Sequence, residues 1–101
     1  MSKTKNFTAN AIAGTTGYLI IVKGEVNCGK LEVEPSLTKK DPQGINDTIS
    51  LLDIYPASDD PNGSFRNAEY NENITNQYAY AFVHLIDQTG QTIAEIPVQQ
   101  A

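Results

Sequence analysis

The residues of this chain that could carry chemistry are few and scattered. Histidine occurs once, at His84, inside the run Tyr78-Ala79-Tyr80-Ala81-Phe82-Val83-His84-Leu85-Ile86. An imidazole works as a general acid or base beside an orienting carboxylate and a nucleophile. Asp53 and Asp87 are the available orienters and Ser50 and Ser36 the available hydroxyls, and no nucleophile-elbow spacing links any of them. A single histidine within an apolar run reads more simply as a strand residue that needs a hydrogen-bond partner. Cysteine also occurs once, at Cys28, so no disulfide can close within the chain. The plain reading is a small residue near a strand end, since a reactive thiolate needs an exposed, electropositive setting.

Metal chemistry has one opening. Asp59-Asp60-Pro61-Asn62-Gly63-Ser64 places four oxygen-bearing side chains (Asp59, Asp60, Asn62 and Ser64) within six residues. Calcium takes such ligands, but the EF-hand spacing with its terminal Glu is absent and Pro61 interrupts the loop. Asp and Asn also gather at turns because their side chains bond the backbone two residues on. Structural zinc wants four Cys or His ligands, and Cys28 and His84 are all that this chain offers. Neither a G-x-G-x-x-G nor a G-x-x-x-x-G-K cradle occurs, and Gly14-Thr15-Thr16-Gly17 lies ahead of a strand where no helix dipole is available. The expectation is a protein without a cofactor and without catalysis.

Recognition through aromatic side chains is the remaining chemistry. In an extended run, Tyr78, Tyr80, Phe82 and His84 fall on one face, which makes them candidates for an interaction surface. Ordinary packing explains the same pattern, because tyrosine suits a half-buried strand. Seven basic against twelve acidic residues give a net charge of -5, and Lys39-Lys40 is the one adjacent basic pair. A nucleic-acid footprint needs a basic patch, so nucleic acid is not an expected partner.

These residues need elements to hold them. At 101 residues, 40% hydrophobic and 19% charged, the chain makes one domain with a modest core. The longest feature is a hairpin from Tyr78 to Val98, with Asp87-Gln88-Thr89-Gly90 as a type I turn followed by a residue at positive φ. Tyr18 to Val26 reads as a strand, apolar on both faces in its first half, with Gly24 marking a bulge or a close backbone approach. Leu31-Glu32-Val33-Glu34 alternates as a half-buried strand ended by Pro35, and Thr48 to Tyr55 forms another, closed by Pro56. Phe7 to Ile12 and Phe65 to Tyr70 are shorter candidates, and Asn71 to Asn76 reads as a connector. Asp41-Pro42-Gln43-Gly44 and Asp60-Pro61-Asn62-Gly63 supply turns.

About seven short strands, separated by turn signals and with no helical period, predict an all-β antiparallel β-sandwich of immunoglobulin-like size. A small closed β-barrel is the alternative. The immunoglobulin Cys…Trp…Cys pattern is missing, so the architecture is claimed and not the family. Residues 1–5 read as a flexible polar lead and 6–101 as the single domain. The first residues lack an apolar stretch fit for a signal peptide, and Tyr18–Val22 is far too short to span a membrane. The expected setting is therefore cytoplasmic, and the sequons at Asn6, Asn46, Asn62 and Asn73 read as chance.

Function follows from the excess of apolar side chain on both faces of the hairpin and of Tyr18–Val22. In a two-layer fold one such face is left exposed and needs a partner. The leading expectation is a non-catalytic module acting by protein contact, as a homo-oligomer subunit or an accessory module. The alternative is a small-ligand or carbohydrate-binding module that uses the polar loops.

Overall fold

The apolar alternation of this sequence resolves into seven strands, and they form one sheet. The computed structural model describes residues 3–100. The strands are β1 (Thr4–Ala13), β2 (Tyr18–Asn27), β3 (Ser36–Lys39), β4 (Ile49–Tyr55), β5 (Phe65–Ile74), β6 (Phe82–Ile86) and β7 (Thr92–Gln100). Their order across the sheet is β3-β4-β6-β7-β1-β2-β5. No helix long and apolar enough to cross a membrane occurs among the described residues.

The sheet is mixed, where the sequence leads one to expect antiparallel pairing throughout. β4 runs parallel to β6, and β1 runs parallel to β7. It curls until its two edge strands approach: Lys39 of β3 reaches Glu72 of β5 with Nζ–Oε2 at 3.1 Å. The result is a nearly closed, barrel-like arrangement, nearer to the alternative than to two separate layers. Strand β7 makes the curl possible. Its first part pairs with β6 as far as Pro97, opposite Phe82, and Val98 to Gln100 then pair with Ala9 to Ala11 of β1. Pro97, which has no N–H to give a ladder, stands where the strand changes partner.

The inward positions of this curl make the core. Ala9, Ile20, Val22, Val26, Leu52, Ile54, Val83 and Leu85 are all essentially sealed from solvent. Alternation supplies them at every second residue: Ser50, Leu52 and Ile54 of β4 face in, while Leu51, Asp53 and Tyr55 face out. Small side chains do some of the shaping. A Cβ on Gly24 would run into the Phe7 ring and lie 2.8 Å from the Phe7 Cα. Phe7 arrives there through a bulge between Lys5 and Thr8, where Asn6 takes a left-handed φ of 59°. The Gly24 reading as a close backbone approach thus has its partner.

Several boundaries differ from the sequence reading, each for a local reason. Leu31–Glu34 is irregular, with Leu31 and Val33 exposed, and the strand begins after Pro35 instead. The ladder to β4 needs N–H donors, which Pro35 cannot give, and Leu37 supplies the buried apolar side chain. Tyr78–Ala81 is not strand: a turn closes over Asn76–Ala79 ahead of β6, where the Asn76 side chain accepts the Tyr78 N–H at 2.8 Å and its carbonyl the Ala79 N–H at 3.2 Å. Asn71–Ile74 belongs to β5, since β2 pairs along its whole length, as far as Tyr18 opposite Ile74. Of the expected polar lead, residues 1 and 2 lie outside the described residues, while Thr4 and Lys5 pair with Val26 and Glu25 of β2.

The β6–β7 turn forms as read, with Gly90 at φ 85° and its N–H on the Asp87 carbonyl at 2.9 Å. The Asp87 carboxylate fills this turn. One oxygen accepts the Thr89 N–H (2.9 Å), the Thr89 hydroxyl (2.6 Å) and the Gln91 N–H (3.1 Å). The other accepts from the Lys3 ammonium at 2.8 Å, and the Asp87 side chain is fully buried. The Lys3 and Thr89 hydrogen bonds outweigh desolvation and hold the carboxyl well below the usual carboxylate range. A depressed folded-state pKa stabilises the fold above the ordinary Asp pKa of about 4 and loses that contribution as pH falls. We expect Asp87→Ala to lower stability at neutral pH by roughly 2–3 kcal/mol in urea unfolding. The gap between wild type and variant should narrow steadily below about pH 4. A gap unchanged in acid would mean that the carboxylate charge contributes nothing.

Candidate functional site

The four residues placed on one strand face by sequence do not stay together. Phe82 and His84 point outward from β6, whereas Tyr78 and Tyr80 lie in the preceding turn. Tyr78 is exposed. Tyr80 turns to the β5 edge, where its hydroxyl donates to Glu72 at 2.9 Å.

What remains on the outer face is a cross-strand arrangement. Ile49 of β4 stands opposite Phe82, and Phe82 stands opposite Pro97 of β7. The next outward row is Leu51, His84 and Glu95. Phe82 keeps 43% of its surface exposed, and Pro97 is exposed beside it. Neighbouring side chains on one sheet face are close enough to act as a unit, so this is an apolar row with a polar flank. Leu51 is partly screened by the loop ahead of β4. There the Gln43 side-chain amide donates to the Leu51 carbonyl at 2.9 Å and accepts the Leu51 N–H at 2.8 Å, standing in for a strand beyond the end of β3. The fully exposed Ile45 sits in the same loop.

The acid–base partners considered for His84 are placed elsewhere. Ser50 is buried on the inner face, opposite in direction to His84. Asp87 is occupied by Lys3 and its own turn, and Asp53 pairs with Lys40 at 3.4 Å. Ser36 donates to the Tyr55 carbonyl. Cys28 is buried just past the end of β2, and its thiol leans on the Val26 carbonyl at 3.6 Å. Burial pushes that thiol up, away from the reactive thiolate.

A second site lies at one end of the barrel, and sequence reasoning found only part of it. Three connections, 28–31, 55–60 and the turn at Gln88, meet there with Lys3 around a cleft of about 490 Å³. Asn27 ties the walls together from within. Its fully buried side chain donates to the Asp60 carbonyl at 2.9 Å and accepts the Gly29 N–H at 2.9 Å. Backbone bonds from Ser58 to Asn27, Cys28 to Ser64 and Ser64 to Gly29 complete the lacing. In the candidate calcium loop, Asp60 spends one carboxylate oxygen on the Asn62 N–H at 2.9 Å, and Ser58 caps the Asp60 N–H. No trio of metal-ligating His, Cys, Asp or Glu side chains gathers among the described residues. Asp59 and Asp60 thus line the cleft, and Asn62 and Ser64 belong to the laced turn that follows them.

Glu72 is the ionisable residue that the sequence reading passed over. It points inward from β5 beside Tyr70, whose hydroxyl donates to it at 2.6 Å, and Tyr80 and Lys39 supply two more donors. Burial pushes the Glu72 carboxyl up, but these three donors outweigh it and leave it below the usual carboxylate range. Burial and the adjacent carboxylate together push the Tyr70 phenol far above its ordinary value. The visible signal was the spacing Tyr70-x-Glu72, which puts both side chains on one face of any strand. This group of charges and phenols sits at the seam between β3 and β5 and closes it with side chains in place of a ladder.

A Cβ on Gly63 would overlap the Asn27 amide oxygen and lie 2.9 Å from the Gly29 Cα, so backbone as well as side chain stands in the way. Gly63→Ala should cost about 2 kcal/mol in urea unfolding through this overpacking. Gly14→Ala meets only an ordinary 3.5 Å contact and should stay within about 0.5 kcal/mol of wild type. Equal effects at both positions would refute the account of the laced wall.

No protein-family model, no curated protein and no solved structure matches this chain.

Proposed function

We propose that this protein works without catalysis, as a β module that associates through the outer face of β4, β6 and β7. The observation that carries the reading is the in-register row Ile49–Phe82–Pro97 with the exposed Phe82 ring at its centre. A curled sheet buries its inner positions in its own core, so apolar side chains gathered on the outer face have no use for the fold. Aromatic side chains at the centre of such rows dominate association energies. A second copy of the chain is the partner we assign. A row bordered by a histidine and a glutamate, with Leu51–His84–Glu95 beside it, can meet its own two-fold image, so that His84 of each copy faces an acidic side chain of the other. The net charge of -5 keeps such an assembly discrete and disfavours nucleic acid. A cytoplasmic setting belongs to the same reading.

Solution mass by size-exclusion chromatography with light scattering tests this directly. We expect a dimer at micromolar concentration, and a dissociation constant raised more than tenfold by Phe82→Ser, since a buried aromatic contact of this kind is worth 1–2 kcal/mol or more. Because Phe82 faces outward, the variant should keep the unfolding transition that the wild type shows at concentrations too low for the dimer. A wild type that remains monomeric across the concentration range would reject the assignment.

A further inference from the structure

We infer that the cleft at the Lys3 end of the barrel binds a neutral, polyhydroxylated small molecule of the saccharide class. The site lies at the Tyr55 end of β4, away from the Ile49–Phe82–Pro97 row at the start of that strand. Its volume of about 490 Å³ falls in the range of small-molecule pockets. Its walls are held by the Asn27 hydrogen bonds and by three backbone bonds between crossing segments, so ordering them costs little on binding.

The lining states the ligand class. Tyr55 and Leu31 border the cleft with 55% and 49% of their surfaces exposed, apolar area that the fold itself does not use. An exposed aromatic ring offers a flat apolar face with a polar tip, the match for a pyranose, which has C–H bonds on its faces and hydroxyls at its edge. Around it stand Lys3 and Lys30 against Asp59 and Asp60, two charges of each sign. Counting Asp87, which holds the Lys3 ammonium at 2.8 Å, the group carries one net negative charge: it repels an anion, and an open, solvent-screened cleft gives a cation little in return. Ammonium and amide donors next to carboxylate and hydroxyl acceptors suit a ligand whose every hydroxyl both donates and accepts. A second trough over Gly24 and Ala68, of about 580 Å³, lacks this construction: its lining holds no aromatic side chain and no converging loops, only Asn6, Thr8 and the strand residues 23–25 and 67–69.

Amide-resolved NMR titration of the full chain tests the assignment. The probes are maltose, cellobiose, lactose and diacetylchitobiose at millimolar concentration, with inorganic phosphate and spermine as charged comparators. At least one sugar should move the amides of 29–31 and 57–60, and the charged probes should not. Tyr55→Ala should weaken that response about tenfold while Tyr55→Phe keeps it, the loss expected for one ring contact. Phe82→Ser should leave the titration unchanged, which separates this site from the association face. Tyr55 is exposed, so a dispersed spectrum for each variant shows that the fold is kept. No response to any sugar, a response to phosphate or spermine alone, or a sugar response indifferent to Tyr55→Ala would each overturn the proposal.

Discussion

The two ends of the chain meet in the middle of the sheet, where β7 runs beside β1, and one carboxylate stands close to that junction. Asp87 opens the turn into the last strand and holds Lys3, at the start of the first, through 2.8 Å. Beyond that turn, β7 leaves β6 and runs beside β1, so the first and last strands share a ladder. The pairing closes a loop of most of the chain, which is entropically costly. A buried charge with four donors is one of the few local interactions strong enough to fix where that closure happens. With β1 anchored, β2 and β5 follow by antiparallel pairing on one side. On the other side β6 carries β4 and β3.

The opposite seam is solved differently. β3 has four residues and β5 has ten, so backbone pairing between them could not seal the barrel even in register. Glu72, Tyr70, Tyr80 and Lys39 fill that gap with a charge-assisted network. An inward-pointing charge at an edge also discourages another chain from adding there. Together with the Gln43 amide on Leu51, it leaves the sheet with protected edges. The proposed association accordingly uses the outer face and not an edge.

Two surfaces divide the functional possibilities, and they differ in construction. The outer face of β4, β6 and β7 is open and carries an apolar row at its centre. The cleft at the barrel end is laced from beneath by Asn27 and sets both signs of charge around an aromatic ring. The first suits a macromolecule and the second a small molecule, so the two readings stand independently.

The amino-acid sequence by itself determined the β character, most strand positions and several turns, though not the one read at Asp41–Gly44, where the Asp41–Pro42 bond is cis and no hydrogen bond closes a type I turn. Alternation marks β2 and β4, and Asp87-Gln88-Thr89-Gly90 and Asp60-Pro61-Asn62-Gly63 encode turns in the chemistry of their own side chains. Those signals are local, and local physics suffices to read them. Tertiary structure alone decided that β4 and β6 run parallel, that β7 serves two partners, and that Leu31–Glu34 gives way to the strand after Pro35. It also decided the sites. Phe82 and His84 were legible as a pair, because residues two apart on a strand share a face. The row they form with Ile49 and Pro97, and the cleft that joins Lys3 to Tyr55, Asp59 and Gln88, could not be read from spacing. Pairing direction and loop convergence depend on contacts between residues far apart in the chain, and one sequence with apolar side chains on both strand faces leaves register undetermined.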